Sequence, residues 1–270
     1  ADIFSELSAI LLIRVISKNQ LCHLLANCDH ESQGWKKFEE NLNYRPKRLL
    51  EVFNTKYKKY FKDLADATAV AKGGPRAIAE RIYGGRMGNR RGTSDAFDCR
   101  GSGPLMITGR NNFLLFDATV PDDIDNNRDL MRTKYKLSTA FWFFDVNKVW
   151  VNARGNDENS ILKVRKQING GTIGLSEVKI LFNKYQNLMA FISFFQHINY
   201  FFCYFLETIY HSKITTTFVY SPTGPSESFI VTRVLYPLRK AIFPVKVSLA
   251  ASSALTPILI NLLKSNIIPK

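Results

Sequence analysis

The sequence is poor in the residues that build cross-links and metal sites: its 270 residues hold four cysteines and four histidines. Cys22, Cys28, Cys99 and Cys203 form no C-x-x-C pair and have no histidines at finger spacing, which argues against a structural zinc site. Cys22 and Cys28 lie six apart in a helical stretch, on different faces, so no local disulfide is expected and the thiols read as reduced. That points to synthesis in a reducing cytoplasm. There is no Gly-X-Y period, heptad run or low-complexity tract, which excludes fibrous, coiled-coil and repeat architectures. Nor is Ala1 followed by a charged and then apolar leader with a cleavage site, so no signal peptide is read there; a secreted chain with a truncated start would look the same.

Acidic residues are also scarce, and unevenly so. Against 37 Lys and Arg stand 23 Asp and Glu, a formal charge of +14 that suits an anionic partner such as nucleic acid, an acidic membrane or a wall polymer. Residues 1–188 hold 30 basic and 21 acidic side chains, whereas 189–270 hold 7 and 2 among dense aromatics. We therefore divide the chain into a domain over 1–188 and a C-terminal region over 189–270. Hydrophobic residues make up 46% of the whole, enough for a packed core.

Within 1–188 the pattern is mostly helical. Leu21, Leu24, Leu25 and Cys28 recur at i, i+3, i+4, i+7, the mark of an amphipathic helix ending near His30, and Gly34 breaks the run. Pro46 suits the first turn of a helix over 47–52, and Pro75 that of one over 76–83 stopped by Gly84 and Gly85. The aromatic stretch 138–150 reads as core, and 103–108 as a short extended piece. In 189–270, the apolar runs 190–210 and 247–263 are interrupted by polar residues or by Pro257, so they make doubtful membrane spans. A packed helical layer, a membrane-contacting tail and sequence never selected to fold all remain open for this poorly defined region.

The chemistry centres on Glu31 and Glu40. Nine residues apart on one unbroken helix they would face opposite ways, since nine steps of about 100° leave about 180° between them. The break at Gly34 lets the chain fold back and set the two carboxylates across a cleft. Glycoside hydrolysis needs such a pair, one protonated to release the leaving oxygen and one ionised to activate water. Taken alone the pair is also compatible with a solvated helix end.

Other clusters carry less. Asp123-Ile124-Asp125-Asn126-Asn127 begins like a calcium loop, but Arg128 stands where glycine is required and Lys134 where glutamate is, so no metal is expected. His23 and His30 share a face without a third ligand in reach. The basic runs 36–37, 56–62 and 86–91 read as solvated faces that steer toward an anionic surface. With no nucleic-acid signature beside them, a nucleic-acid partner is not expected.

Several motifs in one order then make a specific match. His23-Leu24-Leu25-Ala26, His30-Glu31-Ser32, Glu40-Asn41-Leu42-Asn43-Tyr44, the run from Arg81 to Asn89, Thr108-Gly109-Arg110 and Ile168-Asn169-Gly170-Gly171 resemble the glycoside hydrolase family 19 chitinases. They are closer still to the short phage endolysins and lysozyme-like enzymes of that family, over about residues 18–188. The resemblance implies a mainly helical, lysozyme-like fold of two lobes enclosing a polysaccharide groove. It makes Glu31 the general acid and Glu40 the base of an inverting mechanism with carboxylates about 6.5–9.5 Å apart. Thr108 helps hold the attacking water, while Asn41, Tyr44, Arg100, Asn169 and Gly170 bind sugar. An apolar wall, Trp35 or Tyr44, would help Glu31 keep its proton.

Where the family commonly carries polar or aromatic contacts before the Thr-Gly-Arg element, this chain has Cys99, Ser102 and Met106. The expected activity is β-1,4 cleavage of peptidoglycan by a monomer that needs no cofactor. Chitin hydrolysis, a non-catalytic glycan-binding relative and a membrane-active lysis protein are the alternatives.

Overall fold

The computed structural model describes residues 3–191. The expectations for the C-terminal region, the two apolar runs and Cys203 therefore fall almost wholly outside the described residues. By its internal contacts the chain divides into a unit of Ala1–Gln186 and one of Asn187–Lys270, and the architecture below is that of the first.

It is mainly helical, as expected. In chain order come α1 (Ile3–Ile13), α2 (Lys18–Glu31), α3 (Pro46–Phe53), α4 (Leu64–Lys72), α5 (Gly74–Tyr83) and α6 (Asp95–Asp98). They are followed by α7 (Arg110–Asp117), α8 (Leu130–Thr133), α9 (Lys136–Val146), α10 (Val149–Asn152) and α11 (Glu158–Asn169). A further helix, α12, runs from 175 to 191. Local sequence explains most starts. Ser17 and Gln20 cap α2 reciprocally, each side chain accepting the other's backbone N–H, while Asp63 and Asp157 cap α4 and α11. Pro46 and Pro75 sit in the first turns of α3 and α5, where their missing N–H costs nothing. The buried Glu6 of α1 accepts the backbone N–H groups of Leu137 and Ser138, placing a carboxylate on the positive end of α9.

The helices gather in two groups. α3, α4, α5 and α6 pack around Leu49, Phe61, Ala67, Ile78 and Ile82. In the other group α9 packs against α1, α2, α8 and α10, and α11 against α2 and α10. Next to these, Phe113, Phe116, Met131 and Trp142 form a second cluster with Cys99 and Ile107.

α2 corrects the amphipathic reading. Residues Leu21 through Asp29 are buried without a gap, so this is a central helix covered on every side. The apolar i, i+3, i+4 stripe was real, but His23, Asn27 and Asp29 on the other faces are buried too, each with at least one hydrogen-bonded polar atom, while His23 Nδ1 is buried without a partner. His23 Nε2 lies 2.9 Å from the Gly155 carbonyl oxygen and its ring stacks on Phe182, while Asn27 Nδ2 donates to the His23 carbonyl.

A rudimentary sheet joins the two groups. Ser102 bridges Glu39 on one side and Ile107 on the other, both antiparallel. Ser102 and Ile107 exchange backbone bonds, Glu40 N–H donates to the Gly101 carbonyl at 2.8 Å, and Gly103 N–H donates to Phe38. The expected extended piece over 103–108 is instead mostly the turn of a tight hairpin: residues 103–106 make the reversal, with positive φ at Gly103 and Met106, and Ile107 is the residue that pairs.

Buried ion pairs tie the motif-bearing loops together. Asp95, with a side chain 2% exposed, accepts from Arg90 and Arg128, and Asp125 accepts from Arg110 and Arg128. Asp125, third in the loop that begins like a calcium site in sequence, is thus the counter-ion of two arginines. The Arg90 guanidinium, its backbone N–H and Arg128 hold the Asp95 carboxyl well below the usual carboxylate range, although burial works the other way. A depressed acid stabilises the fold above its unfolded pKa of about 4 and ceases to do so as pH falls through the folded value. Asp95→Asn is therefore expected to lower stability by about 1–3 kcal/mol at pH 7. The gap to the parent should narrow in melts below about pH 4; a gap constant from pH 7 to pH 2 would contradict this.

Candidate active site

Glu31 is the last residue of α2, and the chain turns sharply after it. Ser32 caps the helix, donating its N–H to the Cys28 carbonyl, and its own carbonyl accepts from Lys36 and Lys37. Gln33, Gly34 and Trp35 all have positive φ, at 54°, 75° and 61°. Two non-glycine residues in the left-handed region make this a strained reversal, held because its surroundings over-determine it. Ser32 Oγ accepts the Trp35 N–H, the Trp35 indole donates to the Tyr185 hydroxyl at 2.9 Å, and Tyr185 donates to the buried Asp29 at 2.8 Å. Burial pushes Asp29 above the usual carboxylate range, despite the Tyr185 bond. Through this chain α12 clamps the turn that separates the two glutamates.

Trp35 is thus committed to Tyr185, and Tyr44 lies edge-on to Phe53 with ring centroids 5.3 Å apart. The hydrogen-bond partner of Glu31 is not an aromatic residue. Arg165 stands there instead, from α11, its side chain 2% exposed and its Nη1 2.6 Å from Glu31 Oε1. The same guanidinium donates to Asn27 Oδ1 at 3.3 Å and, through Nε, to the Ile173 carbonyl at 2.7 Å. Asn169 closes the same loop: its Nδ2 donates to Ile173 and its Oδ1 accepts from Gly171 N–H, with Gly170 in the left-handed conformation that ends α11. Asn169 and Gly170 therefore belong to the Glu31 side through Arg165.

Glu40 sits on the sheet and is held differently. Tyr83 Oη donates to Oε1 at 2.7 Å and Gly101 N–H to Oε2 at 3.2 Å. The fit at Gly101 is tight, since a Cβ there would lie 3.1 Å from the Glu40 Cβ and 3.2 Å from the Met106 Cβ and would push them by a few tenths of an ångström. Tyr44 is near enough for the Glu40 charge, after burial, to help raise its phenol above the ordinary range. Asn41 is exposed, and its Oδ1 accepts the Asn43 N–H in a local turn. Arg100 stacks on Phe97, 4.1 Å from the ring centre, and donates to Glu39 at 3.1 Å. Glu40, Asn41 and Arg100 line one pocket of about 540 Å³, with Glu39, Phe97 and Arg132.

Thr108 is half-buried at the end of the hairpin and donates its hydroxyl proton to the Met106 carbonyl at 2.9 Å. With its hydrogen committed, the oxygen can only accept from a further ligand. The three departures from the family pattern separate cleanly. Cys99 is fully buried in the core and Ser102 is fully buried with its hydroxyl on the Arg100 carbonyl, so neither is a wall residue; Met106 alone is partly exposed.

Sequence reading missed Arg165, Tyr83 and Arg132. Tyr83 lay inside a motif already singled out, and Arg165 three residues before another, but nothing local marked their partners. For Arg132 the sequence carries no signal.

Comparison with known proteins gives two relatives. No family model matches the chain. A glycosyl hydrolase family 19 domain-containing protein of Haemophilus influenzae is 36% identical over 168 residues, which is 60% of this chain and 76% of that protein. The acidic 27 kDa endochitinase of Solanum lycopersicum is 36% identical over 73 residues, 26% of each chain.

Proposed function

Since the chain belongs to glycosyl hydrolase family 19 and is a glycoside hydrolase, we propose that the bond it cuts is the β-1,4 linkage of peptidoglycan, by an inverting two-carboxylate mechanism. The observation that carries this reading is the contrast between the two glutamates. Glu40 is gripped by two neutral donors, the Tyr83 hydroxyl and the Gly101 amide, whereas Glu31 is met by the Arg165 guanidinium. Two carboxylates so differently surrounded suit two different tasks; because a guanidinium favours the ionised form of its partner, Glu31 acts as the acid only once substrate loosens its bond to Arg165.

In this mechanism Glu31 delivers its proton to the leaving glycosidic oxygen. Glu40 takes a proton from water as that water attacks the anomeric carbon from the opposite face. The Tyr83 and Gly101 bonds fix Glu40, and the Thr108 oxygen accepts the second hydrogen of the water, aiming its lone pair at carbon. Asn41, Tyr44 and Arg100 contact sugar on the Glu40 side; Asn169 and Gly170 shape the loop on the Glu31 side. The monomeric catalytic domain spans 1–188, with 189–270 a separate region, a division that rests on the charge shift at 188.

The preference for peptidoglycan rests on the compact Glu40-Asn41-Leu42-Asn43-Tyr44 element, which resembles the lysozyme-like branch, and on the +14 charge toward an anionic wall. The likeness to an endochitinase favours chitin as the second reading. Release of reducing ends from purified peptidoglycan and from chitin, run in parallel, separates the two. The anomer released first, read by proton NMR, tests inversion: a retained product would exclude the water-activating role of Glu40.

Tyr83→Phe removes one of the two bonds on Glu40 with little change of volume. The expected result is a drop in kcat of about 10-fold with KM nearly unchanged. An unchanged kcat would show that Gly101 alone suffices to position Glu40.

A further inference from the structure

The pocket beside Glu40 contains more positive charge than neutral sugar requires. Lys36, Lys37, Arg100 and Arg132 line it against Glu39 and Glu40. Arg132 is the unusual member. Its side chain is 4% exposed, and although Nη2 donates to the Asp98 carbonyl at 2.6 Å, Nε and Nη1 have no hydrogen-bond partner. The nearest carboxylate oxygens to Nη1 are those of Asp129 at 3.5 Å and Glu39 at 3.8 Å, ion-pair distances that leave its N–H groups unmet. Burial, and then the adjacent Arg100, push the Arg132 guanidinium below its ordinary range. A buried guanidinium with idle donors is costly unless a ligand supplies the acceptor.

Asp129, the nearer carboxylate at 3.5 Å, is 74% exposed, and the acceptor that Arg132 shares with Arg100 is a poor fit. Glu39 is half-exposed, and one of its oxygens serves both arginines, reaching Arg100 at 3.1 Å but falling short of Arg132. The anion common to both cations is loosely held at the wall of the substrate pocket, on the residue next to the proposed base, with Asp129 beside Arg132 alone.

We propose that Arg100 and Arg132 form a receptor for a carboxylate borne by the glycan strand, a stem-peptide carboxylate of peptidoglycan, which displaces Glu39 as substrate enters. A planar carboxylate matches the guanidinium fork, and the group it replaces is itself a carboxylate, which favours this ligand over phosphate. Chitin carries no such group. The pair would thus select the wall polymer over the neutral one, and this inference rests on the peptidoglycan reading above.

The test uses soluble peptidoglycan strands with their carboxylates free or converted to amides by carbodiimide coupling. Reducing-end release and, separately, cosedimentation with insoluble wall in the cold are measured for the full chain. Glu39→Gln removes the resident anion from an exposed position without threatening the fold. It should lower the half-saturating concentration of free-carboxylate strands at least threefold, with a smaller change on amidated strands. Glu158→Gln, which adds the same net charge at an exposed site on α11, should not reproduce the difference. Arg132→Gln, if its melt shows a folded protein, should raise half-saturation at least tenfold more on free than on amidated strands.

Equal effects on both substrates, or weaker binding by Glu39→Gln, would overturn the receptor. If the parent releases no reducing ends from either polymer, the cleavage reading fails on its own, and cosedimentation decides the receptor. Binding lost on amidation and strengthened by Glu39→Gln supports it; binding indifferent to both overturns it.

Discussion

Replacing Glu31 by glutamine is expected to slow glycan cleavage by about 10²–10⁴-fold, the range in which positioned acid or base groups act, while leaving the protein folded. The amide oxygen of the new side chain can still accept from Arg165 Nη1, so the turn and the α11 loop keep their anchor. What is lost is the transferable proton. The loss should appear in kcat with little change in KM, because the removed interaction is made in the transition state rather than in binding. Glu40→Gln should be as damaging to turnover but less clean: Tyr83 can still donate to an amide oxygen, whereas the new NH₂ would face the Gly101 N–H, donor against donor. Equal circular dichroism and melting for Glu31→Gln and the parent, with turnover within tenfold, would remove Glu31 from the chemistry.

Removing the Arg165 guanidinium should have the second largest effect, on stability as well as rate. Arg165 is among the largest fully buried side chains, and it serves Glu31, Asn27 and the Ile173 carbonyl at once. Arg165→Met fills a similar space without donors, leaving the buried Asn27 amide oxygen unmet and the Ile173 carbonyl with only its bond from Asn169. The expected cost is about 2–4 kcal/mol, less than for a fully buried pair because Glu31 is partly exposed and water can take over its bond. Activity should fall further than stability predicts, since the loop closed by Asn169 and the orientation of Glu31 depend on the same group. Arg165→Lys keeps the charge but cannot span three acceptors, so it should rescue little. Denaturant melts read the first effect; rates measured well below the midpoint read the second. A Met variant of parental stability would show that the acceptors find other donors.

The same reasoning shows how far the sequence reached. The helix starts read at Pro46 and Pro75 are local events, as are the caps at Ser17 and Asp157 that were not read, and the break at Gly34 already allowed a reversal between Glu31 and Glu40. The motif order pointed to family 19 before any coordinate was known.

Burial was legible only in part. The stripe on α2 identified one apolar face, but that the opposite face is equally covered depends on α9, α11 and α12 arriving around it, and their partners for His23, Asn27 and Asp29 come from more than one hundred residues away along the chain or from the helix itself.

The site divides along the same line. Residue types and spacings within short segments pointed to the pair of glutamates, the Gly34 break and a turn at Asn169, while Thr108 was marked only by the resemblance to family 19. Tertiary structure alone decided which groups meet those carboxylates. It placed Arg165 on Glu31, Tyr83 and Gly101 on Glu40, and Arg132 with idle donors beside Glu39. The physical reason is range: propensity and capping act over one or two turns, whereas the partner of a buried charge is whichever distant donor the packing brings within about 3 Å, and no local pattern encodes that distance.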